Sequence, residues 1–75
     1  MPKEISKSTF ASRLYELRIS NGINQKVLAN ALHVTSQSIS NYESGKREPR
    51  IPDLIAIADY FNVSVDYLIG RSDKC

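Results

Sequence analysis

The stretch NQKVLANALHVTSQSISNYESGKREPR, Asn24 to Arg50, decides the fold. It holds two short helical patterns with almost nothing between them. Asn24 is a favourable N-cap, because its side-chain oxygen accepts from an amide that the first helical turn leaves without a partner. Leu28, Ala29 and Leu32 then fall on one side of a helix from Gln25 to Leu32. That pattern stops near His33, and Val34 precedes Thr35, a second favourable N-cap. So short a connection forces the two helix axes to cross steeply.

The second of these helices, Ser36 to about Ser44, is unusual in what it lacks. Its apolar content is Ile39 and Tyr42, set among Ser36, Gln37, Ser38, Ser40 and Asn41. A helix that packs through so narrow a stripe leaves most of its surface for another partner, and the groups on offer are uncharged donors and acceptors. Ordinary surface helices are filled with Glu, Lys and Arg, whereas Ser and Asn compete with the backbone and weaken a helix. Low propensity on an outward face points to function.

Working outward, Phe10, Ala11, Leu14, Leu17 and Arg18 share a face of an earlier helix, with Ser8 or Thr9 placed to cap its start and Asn21 and Gly22 to end it. After Gly45 comes a basic loop, Lys46 to Arg50, that contains Pro49. Pro52 suits the first turn of a fourth helix, whose core face is read as Leu54, Ile55, Ala58 and Phe61. Asn62 and Val63 break the chain again. Ser64 then caps a last short helix carrying Val65, Leu68 and Ile69, closed by Gly70. Stretches with β-branched residues, around Ile51 and from Val63 to Val65, are broken by proline or carry helical spacing. The expected architecture is all-α, a compact bundle of four to five short helices. The expected organisation is a flexible segment over residues 1–7, one domain over 8–70 and a polar tail over 71–75.

Composition narrows the class. Seventy-five residues allow one domain, and 41% hydrophobic with 24% charged residues is a globular balance. The single cysteine, Cys75, has no partner for an internal disulfide, so a reducing, cytoplasmic setting is expected. Met1 to Ser8 is polar and no run nears the roughly 20 apolar residues of a membrane span, so neither export nor membrane anchoring is expected. Ten basic against eight acidic residues give a net charge of only +2, which favours an anionic partner weakly. Distribution says more: Lys46, Arg47 and Arg50 cluster, and the acids are scattered. One His and one Cys, at a turn and at the last position, offer no metal set, and neither a Gly-rich phosphate loop nor a catalytic carboxylate pair is evident. No enzyme activity, cofactor or metal is expected.

From Arg13 to Gly70 the chain resembles the Cro and phage-repressor type of helix-turn-helix domain, the XRE or lambda-repressor-like family. The residues that carry the resemblance are Leu17-Arg18, Gly22, Asn24-Gln25, Leu28-Ala29, Leu32, Val34-Thr35, Ile39-Ser40, Tyr42-Glu43, Gly45-Lys46-Arg47-Glu48-Pro49 and Val63 to Leu68. The resemblance implies double-stranded DNA as partner, with the helix after Thr35 entering the major groove. Thr35, Ser36, Gln37, Ser40 and Asn41 match its base-facing positions. Gln37 and Asn41 suit base readout best, since a carboxamide can pair with both N6 and N7 of adenine, while the serine hydroxyls accept either base type or a phosphate. Gln25 matches a phosphate-contacting glutamine, and Asn24, Lys46, Arg47 and Arg50 flank it as further phosphate contacts. Arg18 and Glu43 match a partly buried ion pair that joins the first helix to the third.

Two departures stand out. His33 occupies a place where the family commonly has Gly, so a non-glycine residue is asked to adopt a left-handed backbone. Arg50-Ile51-Pro52 replaces the usual small polar cap, which leaves the start of the fourth helix open. Two functions stay open at this point: a transcriptional regulator, as a repressor, binding a two-fold symmetric operator as a homodimer, and a protein-interaction module of the same fold such as an antitoxin component. Ile51, Ile55, Tyr60, Val65 and Ile69 are the apolar candidates for a dimer contact.

Overall fold

The computed structural model describes residues 7–72. The expected flexibility of the first residues, the end of the polar tail and Cys75 fall outside that range, apart from Lys7. Five helices follow in order: α1 (Lys7–Ser20), α2 (Gln25–Leu32), α3 (Ser36–Glu43), α4 (Ile51–Phe61) and α5 (Val65–Leu68). Among the described residues there is no strand. The α1 boundary differs from expectation, because Ser8 and Thr9 lie inside the first turn rather than capping it. The apolar stripe begins only at Phe10, whereas the described helix already includes the polar residues 7–9.

Three of the N-termini are capped by the residues the sequence indicates. Asn24 accepts from the Val27 amide, Thr35 from Ser38 and Ser64 from Tyr67, at 2.8, 3.0 and 3.0 Å. Arg50 occupies the N-cap position of α4 with an extended backbone and no side-chain cap bond. Proline in the first turn, with its preset φ and missing N–H, makes that start tolerable.

All five helices end the same way. A residue with positive φ follows each one, at Gly22, His33, Gly45, Asn62 and Gly70. In each case the next amide reaches back five residues, as Val34 does to the Ala29 carbonyl at 3.0 Å and Val63 to Ala58 at 2.9 Å. His33 (φ 58°) and Asn62 (φ 56°) hold this conformation without glycine. Both belong to the residue types that visit the left-handed region more often than most. At Gly70 glycine is required twice over: φ is +84°, and a Cβ there would lie 2.7 Å from Cγ2 of Thr9. We expect Gly70→Ala to lower stability by more than about 1 kcal/mol in thermal unfolding. Gly22→Ala should cost less, since no atom lies within 4 Å of its would-be Cβ.

The core takes one fully enclosed aliphatic side chain from each helix: Leu14, Leu28, Ile39, Ile57 and Leu68. Phe10 meets Tyr42 edge to face, ring centroids 6.2 Å apart. Leu17, Leu32, Leu54 and Phe61, expected in the core, pack against this centre while only partly buried. The expected face of α4 needs correction. Ile55 is 47% exposed, and Ile57, which was passed over, is completely buried. Leu54, Ile57, Ala58 and Phe61 form the three- and four-residue stripe that meets the core. In a segment as uniformly apolar as IPDLIAIADYF, spacing alone does not reveal which side faces inward. The last helix corrects the sequence reading in the other direction: Val65 packs against the core and Ile69 is 9% exposed, so neither lies open for a dimer contact.

One tie between chain ends was not read from the sequence. The guanidinium of Arg13 on α1 donates to the carbonyls of Tyr67 and, at 2.7 Å, Ser72, and lies 4.2 Å from the Tyr67 ring centroid. A cation on carbonyls at a helix C-terminus also meets the negative end of its dipole. This clamp fastens α5 to α1.

Candidate nucleic-acid interface

Three residues hold α3 from below. Ile39 inserts into the core, Tyr42 packs there with its hydroxyl 3.3 Å from Oδ2 of Asp53, and Glu43 reaches α1. Burial pushes the Tyr42 phenol above its ordinary pKa, and the Asp53 carboxylate adds to that. The positive charges of Arg47 and Arg50 act on the same phenol in the opposite sense.

The Arg18–Glu43 pair forms as the resemblance implied. Nε of Arg18 stands 2.6 Å from Oε2 of Glu43 and Nη2 stands 3.0 Å from Oε1, a two-pronged contact. Nη1 donates to the Ile23 carbonyl at 3.0 Å, and the Tyr15 ring centroid lies 5.4 Å from the guanidinium. The hydrogen bond to Glu43 holds the Arg18 pKa above its ordinary value despite burial. The side chains are 10% and 7% exposed, so the pair spans α1 and α3 largely out of water.

Gln25 makes a contact that the sequence did not indicate. Its Nε2 donates to Oε1 of Glu43 at 3.1 Å, which ties the first residue of α2 to the last residue of α3. The glutamine expected to touch a phosphate is thus half-buried and already bonded through one N–H. No sequence signal flags this contact, because it depends on how the two helices cross. Asn24 is exposed, with its side-chain oxygen engaged in capping.

The outward side of α3 carries the expected set. Thr35, Ser36 and Gln37 are exposed, and Ser40 and Asn41 are half-buried. The Thr35 hydroxyl has a cap role and also lies 3.0 Å from Oγ of Ser38. Nε2 of Gln37 donates to Oδ1 of Asn41 one turn later at 3.1 Å. Past Gly45, Lys46, Arg47 and Arg50 are all exposed. The amides of Lys46 and Arg47 both bond the Asn41 carbonyl, at 3.0 and 3.3 Å, so the basic loop is folded back onto the end of α3. The structure therefore brings together a polar ridge and a cationic border. A surface of this kind offers donors and acceptors to an edge of bases and positive charge to flanking phosphates. No group of His, Cys, Asp and Glu that could hold a metal occurs among the described residues. Nor does any helix there have the length and apolarity to cross a membrane.

Known proteins are similar to this chain in sequence and fold. The HTH-type transcriptional regulator ImmR of Bacillus subtilis is 35% identical over 65 residues, 87% of this chain and 51% of that protein. The HTH-type transcriptional activator BcrR of Enterococcus faecalis is 37% identical over 64 residues, 85% of this chain and 31% of that protein. The chain thus spans about half, or less, of these relatives' length. Among solved structures, the P22 c2 repressor in complex with a synthetic operator superposes with a TM-score of 0.80 at 27% identity, covering 84% of this chain and 96% of that one. This likeness is in keeping with a lambda-repressor-like architecture. With the helix-turn-helix family profile matching residues 14–68, the chain belongs to that family.

Proposed function

We propose that this chain is a sequence-specific, double-stranded DNA-binding transcriptional regulator that acts in the cytoplasm as a repressor, and that it is a binder rather than a catalyst. The observation that carries the reading is the α3 surface: Gln37 and its polar neighbours face outward while Ile39, Tyr42 and Glu43 hold the helix down. Ser36, Gln37, Ser40 and Asn41 read base edges in the major groove, with Thr35 at the entry. Lys46, Arg47 and Arg50, together with Asn24 and the second amide N–H of Gln25, grip phosphates on either side. One recognition helix buries too little surface for high specificity, so the working species on DNA is a homodimer on a two-fold symmetric site. Ile51, Ile55 and Tyr60, exposed along α4, supply its contact.

Selection of bound sites from a pool of random duplexes, followed by gel shifts over a salt series, tests this directly. Gln37→Ala should weaken binding by about 1–3 kcal/mol at particular base pairs. Lys46→Ala should weaken every duplex alike and reduce the salt slope by about one. Equal behaviour of the two variants on every duplex would refute the division of roles.

A further inference from the structure

We infer that Asn41 sets the base preference of Gln37, committing it to adenine over guanine. This rests on the DNA-reading proposal above and goes further by naming the residue that holds Gln37 to one base. A glutamine carboxamide has two N–H donors and one acceptor oxygen. Guanine shows the major groove two adjacent acceptors, N7 and O6, so gripping it with both prongs requires both N–H groups. Adenine shows one acceptor and one donor, N7 and the N6 amino group, and requires one N–H and the oxygen. In this structure one N–H of Gln37 is already given to Oδ1 of Asn41 at 3.1 Å. What remains outward is one donor beside one acceptor, the complement of adenine.

The bond also fixes which way the carboxamide faces. If the Gln37 amide alone turned over, its oxygen would confront the Asn41 oxygen and two acceptors would be opposed. Both residues sit on one turn of α3, and that helix is held at Ile39, Tyr42 and Glu43, so the two side chains stand within hydrogen-bonding reach of each other before DNA arrives. Little side-chain freedom is then left to lose on binding. Inside a groove from which water is displaced, a hydrogen bond of this kind strengthens. Asn41 is thus a positioning residue, acting on the base through Gln37, and its own two Nδ2 N–H groups stay available to a neighbouring acceptor.

The test uses the 75-residue chain and duplexes recovered from a random pool. The pair read by Gln37 is the one whose preference vanishes in Gln37→Ala. At that pair the unaltered chain should favour adenine over guanine by about fivefold or more. Asn41→Ala, which frees the second N–H, should bring adenine and guanine within about twofold while the circular dichroism spectrum is unchanged. Asn41→Asp keeps an acceptor for Gln37, so it should retain the adenine preference while its negative charge weakens binding to all duplexes. Guanine preferred by the unaltered chain, an adenine-to-guanine ratio unmoved in Asn41→Ala, or no pair that responds to Gln37→Ala would each overturn the inference while leaving DNA binding intact. Failure of the unaltered chain to enrich any sequence would overturn the DNA-reading proposal itself, and this inference with it.

Discussion

Arg18→Met should lower the free energy of unfolding by about 3–5 kcal/mol, because it strands the Glu43 carboxylate in a site where that side chain is only 7% exposed. Three donors now converge on or beside that carboxylate: two from Arg18, and Nε2 of Gln25. Removing the guanidinium takes away the only full positive charge in this network and also the donor to the Ile23 carbonyl. A domain of this size has a total stability near the lower end of about 5–15 kcal/mol, so the variant should be substantially unfolded in mild urea. Urea titration followed by far-ultraviolet circular dichroism measures the loss. Replacing both partners, Arg18→Met with Glu43→Leu, should restore much of it, since no lone charge is then left buried. A single variant that unfolds within about 1 kcal/mol of the original chain would show that the pair is not the clamp between α1 and α3. The double variant should still bind DNA more weakly, because Gln25 has lost the acceptor that orients it.

The second large effect is expected on α4, as a contrast between neighbours. Ile57→Ala removes a side chain with no exposure at all and should cost about 2–5 kcal/mol, the loss of transfer energy plus a cavity. Ile55→Ala, two residues away and 47% exposed, should change monomer stability by less than about 1 kcal/mol. The same Ile55 change should lower affinity for a two-fold symmetric site if that face carries the dimer contact. The order of the two stability losses is what matters. If Ile55 proved the more costly, α4 would have to present its opposite side to the core, and the proposed dimer surface would be lost with it.

These contrasts mark where the sequence was legible. The helix limits around the three-residue turn at 33–35 could be read because caps and terminal turns act over four or five residues. Asn24, Thr35 and Ser64 announce helix starts by their own hydroxyl or amide oxygens, and each does cap. The narrow Ile39 and Tyr42 stripe likewise foretold which side of α3 turns inward. In α4 the same method failed, since nearly every residue is apolar and no polar side exists to define its opposite.

By itself, then, the sequence determined the succession of helices, the caps at Asn24, Thr35 and Ser64 and the polar character of the α3 surface, all of which are local; the left-handed turn at His33 was foreseen through family resemblance. Tertiary structure decided the rest. Gln25 meets Glu43 across 18 residues and Arg13 meets the Tyr67 carbonyl across 54. Such pairs exist only once the packing of Leu14, Leu28, Ile39, Ile57 and Leu68 has set the crossing of the helices. The Arg18–Glu43 pair, across 25 residues, was foreseen through family resemblance and not through spacing. The physical reason is one of range: a hydrogen bond within a turn is decided by the backbone that carries it, whereas a bond between helices is decided by where the shared core lets each helix lie.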